Sequence, residues 1–115
     1  RISFAHLDLM EGLGRFDLIC ANPPYVCEEE LETLPSARYE PRLALNGGAD
    51  GMHTIERFLA SASDHLRTPG ILLMEIGAAQ GVASLALARD AFSTGTVQLV
   101  KDLAGLDRLL IVWDQ

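Results

Sequence analysis

Asn22-Pro23-Pro24-Tyr25, directly after the apolar run Phe16-Asp17-Leu18-Ile19-Cys20-Ala21, restricts the fold more than any other stretch of the chain. Pro23 drives Asn22 out of the helical region of backbone space, and Pro24 does the same to Pro23. Neither proline has an N–H, so a sheet ladder must stop here. A strand that ends in this way puts its last residues at the carboxyl end of a sheet, the side on which open α/β sheets bind ligands. The Pro23 carbonyl is left to accept a hydrogen bond from something other than a neighbouring strand. Asn22 adds a side-chain acceptor, and Tyr25 a flat face with a polar tip. The set suits a planar NH2 group on a π-system, either a carboxamide or the exocyclic amine of a base. The plain alternative is a strand terminator, because Asn and Pro are common turn residues.

The rest of the chain supplies a sheet for that strand to end in. Ile2 to Leu9 reads as the end of a strand, Glu11 to Gly14 as a turn, and Phe16 to Ala21 as a strand buried on both faces. Cys27 to Glu32 reads as the solvated face of a short helix stopped by Pro35. The long connection from Asn22 to Asp50, with Pro41, Gly47 and Gly48, is of the length that usually serves function. Asp50 is placed to cap a helix from Met52 to Leu66, with Ile55, Phe58, Leu59, Ala62 and Leu66 on one face. Thr68-Pro69-Gly70 predicts a turn into a strand over Ile71–Ile76. A helix over Gln80–Ala91 comes next, with Val82, Leu85 and Leu87 partly periodic. Strands over Thr96–Lys101 and Leu109–Trp113 close the pattern as a hairpin. This is an α/β chain with a parallel sheet and a terminal antiparallel pair. A parallel sheet needs helices on both faces, which implies at least one more helix and further strands upstream. Arg1 opens the chain abruptly, as in a piece of something longer.

Composition removes several classes of function. At 115 residues the chain is one domain at most, and 16 acidic against 9 basic residues give a net charge of −7, which repels phosphates and makes direct nucleic-acid binding unfavourable. No apolar run approaches a membrane span, and no signal peptide opens the chain. Cys20 and Cys27 read as free thiols of a reducing cytoplasm. His6, His53 and His65 are scattered, so no metal site is expected.

Several stretches together resemble one family: Phe16-Asp17-Leu18-Ile19 running into Asn22-Pro23-Pro24-Tyr25, Tyr39-Glu40-Pro41-Arg42-Leu43-Ala44-Leu45 with Gly47-Gly48 and Asp50-Gly51, Glu75-Ile76-Gly77 then Gln80-Gly81, and Asp102-Leu103, Gly105 and Arg108. The chain is similar to the C-terminal half of the catalytic domain of HemK-type protein-(glutamine-N5) methyltransferases. These enzymes methylate the glutamine of the Gly-Gly-Gln loop of peptide chain release factors. The resemblance implies a Rossmann-like class I methyltransferase sheet and S-adenosyl-L-methionine as cofactor. Residues 1–115 would hold its third to seventh strands with covering helices. The family's glycine-rich cofactor loop and its ribose-binding acid, which belong to the first two strands, have no counterpart in this sequence.

On this reading Asn22 and the Pro23 carbonyl each accept one N–H of the substrate amide, with Pro24 and Tyr25 completing the substrate site. Asn22 and Asp8 would contact the cofactor, Asp8 at the adenine amine unless it is simply a solvated aspartate. Glu40 and Arg42 would order the long loop, or form a surface ion pair. Glu75 ends a parallel strand on the ligand-binding side, but a structural role bonding local backbone is the favoured reading; Gln80 also takes a structural role, and Asp102 and Arg108 brace the hairpin loop. The same residues admit two rival readings. One is a nucleic-acid amino-methyltransferase working on a flipped base. The other is a truncated, non-catalytic module that self-associates through the bared edge of the Phe16–Ala21 strand.

Overall fold

A computed structural model describes residues 1–23 and 52–115. Its elements in chain order are β1 (Phe16–Ala21), α1 (His53–His65), β2 (Leu66–Glu75), a single 3-10 turn (Ala78–Gln80), α2 (Gly81–Ala91), β3 (Thr96–Lys101) and β4 (Asp107–Asp114). They build one four-stranded sheet in the order β1-β2-β4-β3. β1 and β2 run parallel, joined through α1, while β4 is antiparallel to both β2 and β3. The expected parallel sheet with a terminal hairpin is therefore present, and the second hairpin strand is the one inserted beside β2.

Alternation along the strands decides where the core lies. Ile19 of β1, Leu72 and Met74 of β2, and Leu110 and Val112 of β4 are buried on one face. Ile55, Phe58, Leu59 and Ala62 of α1 pack on this face, at the i, i+3, i+4, i+7 spacing of a helical stripe. Ile55, Phe58 and Leu59 each stabilise the fold by roughly 1.5–3 kcal/mol on full burial. Ala88 of α2 and Phe92 join the same cluster. The opposite face, which carries Phe16, Leu18, Cys20 and Ile71, is exposed along β1 and the start of β2.

Four sequence expectations need correction. Residues 1–7 adopt no regular secondary structure, so the strand end expected over Ile2 to Leu9 is not formed, and Ile2 and Phe4 are exposed. A short alternating stretch gains little without a ladder partner. The adjoining turns, with Leu9 and Gly12 at positive φ, carry Met10 into the core instead. β1 is an edge strand in which only Ile19 is buried, with Leu18 56% exposed, rather than a strand covered on both faces. β2 begins five residues early and runs through Thr68-Pro69-Gly70, because those residues bulge: Phe16 and Leu18 face Leu66 and Ile71, two positions of β1 against five of β2. Gly70 suits the bulge, since a Cβ there would strike the Arg67 carbonyl. Finally, α2 buries Gly81, Ser84 and Ala88, while Val82 is exposed. Its contact face is a row of small residues that lets the helix lie close to its neighbours.

The N-cap position of α1 is Met52, without a side-chain cap, and Asp50 lies outside the described residues. Among the described residues no helix is long and apolar enough to cross a membrane.

Candidate functional site

β1 delivers Asn22 to the carboxyl end of the parallel pair, where its side chain is exposed and Pro23 is buried. Asn22 lines a shallow pocket of about 410 Å³ with Cys20, Ala21, Leu73, Glu75 and Leu109. The ladder explains why these residues meet. Cys20 pairs with Leu73 and Ala21 with Met74, so Asn22 and Glu75 fall one rung beyond the last pair, at the ends of adjacent strands. Leu109 faces Glu75 from β4. Among the described residues, none bonds the Asn22 amide or the Pro23 carbonyl. Pro24 and Tyr25 lie outside the described residues, as do Cys27–Glu32, Glu40 and Arg42.

Asp8 does not line this pocket. Its carboxylate accepts from Arg57 Nη2 of α1 at 2.7 Å, with both side chains about half exposed, a surface pair worth little by itself. Glu75 also departs from expectation. No donor among the described residues bonds its carboxylate, and it faces the pocket rather than local backbone. No signal in the sequence separates such a strand-end carboxylate from a solvated one.

The remaining polar residues have structural work. Gln80 Oε1 accepts from the Gly77 N–H at 3.0 Å and so fixes the turn between β2 and α2. Asp102 Oδ1 accepts from the N–H groups of Ala104 (2.9 Å) and Leu106 (3.0 Å), while Arg108 Nε reaches Oδ2 at 3.4 Å. The Leu106 N–H is the chief influence holding the Asp102 carboxyl below its ordinary value. Partial burial opposes it, and the Ala104 N–H and Arg108 assist. Arg108 Nη1 also donates to the Ile76 carbonyl, at 3.5 Å, so the hairpin loop is tied to the end of β2. The bracing role expected for Asp102 and Arg108 is observed.

A second cavity, about 490 Å³, lies between α1 and α2 and is lined by residues including Glu56, Ser63 and Asp90. None of the expected site residues reaches it. Among the described residues no group of three or more His, Cys, Asp or Glu could hold a metal ion.

Comparison with known proteins gives this geometry its context. The chain is 40% identical over 101 residues to a release factor glutamine methyltransferase of Gloeobacter violaceus, covering 85% of this chain and 35% of that protein. It is 49% identical over 79 residues to a ribosomal protein uL3 glutamine methyltransferase of Neisseria meningitidis, covering 67% of this chain and 26% of the relative. The chain belongs to the protein-glutamine methyltransferase family. It spans about a third of the length of the curated relatives it matches. No family model matches it. Two solved structures share the fold. The protein-(glutamine-N5) methyltransferase (release factor-specific) of Alicyclobacillus acidocaldarius aligns with TM-score 0.53 at 14% identity, over 93% of this chain and 85% of that one. A methyltransferase of Pyrococcus furiosus aligns with TM-score 0.56 at 20% identity, over 87% and 41%. In this shared α/β fold the Asn22 pocket lies at the carboxyl ends of the parallel strands, the side on which open α/β sheets bind ligands.

Proposed function

We propose that this chain is the C-terminal part of a catalytic domain that transfers a methyl group from S-adenosyl-L-methionine to the side-chain amide of a protein glutamine, with a peptide chain release factor as substrate. The observation that carries the reading is Asn22, exposed beside Pro23 at the end of a parallel strand and opening onto a pocket with an apolar floor. A carboxamide nitrogen is a poor nucleophile because its lone pair is delocalised into the carbonyl. The site's task is therefore chiefly positioning. Asn22 Oδ1 and the Pro23 carbonyl each accept one N–H, which aims the nitrogen lone pair and stabilises the positive charge that develops there.

Of the described residues Asn22 would border the cofactor, whereas Asp8 lies outside the pocket and is paired with Arg57. The bound cofactor supplies a methyl already activated by a sulfonium centre, so Asn22 and Pro23 need only orient its acceptor.

The acidic surface disfavours a nucleic-acid substrate. The name of the relative from Neisseria meningitidis keeps a ribosomal protein as the second candidate. The deciding experiment incubates the full chain and labelled cofactor separately with release factor, ribosomal protein uL3, RNA and DNA. Label on a release-factor glutamine is the expected result, and label only on nucleic acid would refute the reading.

A further inference from the structure

Glutamine and glutamate have nearly the same size, so an amide site cannot separate them by shape. Hydrogen bonding at Asn22 does not settle the matter either. Its amide can rotate to present NH2 in place of oxygen, and so can serve a carboxylate as well as a carboxamide. A fixed negative charge cannot adapt in this way.

The pocket holds one such charge. Side chains alternate faces along a strand, so Asn22 shares a face with Cys20, and Glu75 with Leu73. Glu75 stands opposite Leu109. Asn22 and Glu75 each follow directly on the last paired rung, Ala21 with Met74, and both line the pocket. Glu75 is half-buried, and none of the described ion pairs involves it; those of Arg57, Arg67, Lys101 and Arg108 all go to aspartates. The apolar Leu73 and Leu109 exclude part of the water that would screen it.

We infer that Glu75 is a specificity-determining residue of the amide site: its carboxylate admits a neutral, N–H-donating side chain and repels the matching carboxylate of glutamate. The inference rests on the reading of Asn22 as the amide acceptor. Rejection of the wrong ligand by like charge is discrimination by repulsion, the part of specificity that attractive contacts alone do not supply.

The test uses the full-length protein that contains this chain and two fluorescent peptides that differ only in glutamine or glutamate at the target position. Binding is read by anisotropy and methylation of the glutamine peptide separately. Glu75→Gln should narrow the glutamine-to-glutamate affinity ratio at least tenfold, about 1.4 kcal/mol, mainly by tightening the glutamate peptide. Glu75→Ser should narrow it too, and Glu75→Asp should keep it wide. A wild-type ratio in variants with native circular dichroism, in a wild-type chain that methylates glutamine, overturns the role of Glu75 alone. A wild-type chain that neither binds nor methylates the glutamine peptide overturns the amide-site reading and this inference with it.

Discussion

Asp107 packs its carboxylate against Gly81, in the volume that a Cβ at position 81 would occupy. The same carboxylate accepts from Lys101 Nζ at 3.1 Å, so the first residue of α2 is pinned to the start of β4. Gly81→Ala should force Asp107 aside. Overpacking costs about 1–3 kcal/mol, and the better helix propensity of alanine returns about 0.8–1.0 kcal/mol. A net loss of about 1 kcal/mol is expected in urea denaturation. In an Asp107→Ala background the same change should be neutral or stabilising, because the obstruction is gone. Equal losses in both backgrounds would show that the contact does not limit position 81.

Ser84 is fully buried on α2, and its hydroxyl has no partner among the described residues. An unsatisfied buried polar group costs about 1–3 kcal/mol, and serine is a weaker helix former than alanine. Ser84→Ala should therefore raise stability by about 1 kcal/mol. The urea midpoint should move up with an unchanged slope, and a downward shift would mean that the hydroxyl is satisfied in solution.

Asp102 gives the hairpin a pH dependence whose sign is set by its lowered carboxyl. The folded value lies below the ordinary 3.8, so its stabilisation is fully present above the unfolded value and is lost as pH falls through the folded one. Asp102→Asn keeps an acceptor for Ala104 and Leu106 but gives up the charge facing Arg108. Stability of the wild type relative to this variant should fall as pH drops below about 4, the ordinary carboxylate value. A constant difference across that range would remove the carboxylate from the account.

Much of this architecture was legible in local pattern. Phe16–Ala21 and Thr96–Lys101 form strands at the predicted limits, though only Ile19 of the first is buried, and the Ile55–Ala62 stripe faces the core, where helical periodicity and burial agree. The features that local pattern hides depend on neighbours. Thr68-Pro69-Gly70 carries turn chemistry, yet pairing to β4 holds Gly70 in a strand opposite Asp114. Val82 looks like a core residue but points outward, since α2 approaches through Gly81, Ser84 and Ala88. For the site, Asn22 was readable because two prolines constrain the backbone on its carboxyl side. Glu75 was readable only as a strand-end residue on the ligand-binding side, because the register of β1 on β2 is what brings it beside Asn22.

Asn22 should separate positioning from binding. Asn22→Ala removes one of two amide acceptors, and deletion of a preorganised group of this kind typically costs about 10²–10³ in rate. In the full chain the methylation rate of a release-factor glutamine should fall by that order, with cofactor affinity nearly unchanged by calorimetry. Unaltered turnover would remove Asn22 from the site.

The outer edge of β1 carries the last prediction. Among the described residues β1 closes the sheet on one side, and its exposed face presents Phe16 and Leu18, 40% and 56% exposed. Unpaired N–H and C=O groups beside apolar side chains form a template for pairing with another strand. The isolated 115-residue chain should therefore form dimers or larger species whose mass by light scattering rises with concentration. Leu18→Lys places a charge on that face, the device by which natural edge strands avoid pairing. It should shift the population toward monomer while leaving Ile19 and the helix-covered core intact. If the wild-type chain is already monomeric across the accessible concentration range, the edge does not act as an adhesive surface. If Leu18→Lys leaves the association unchanged, the contact lies elsewhere on the molecule.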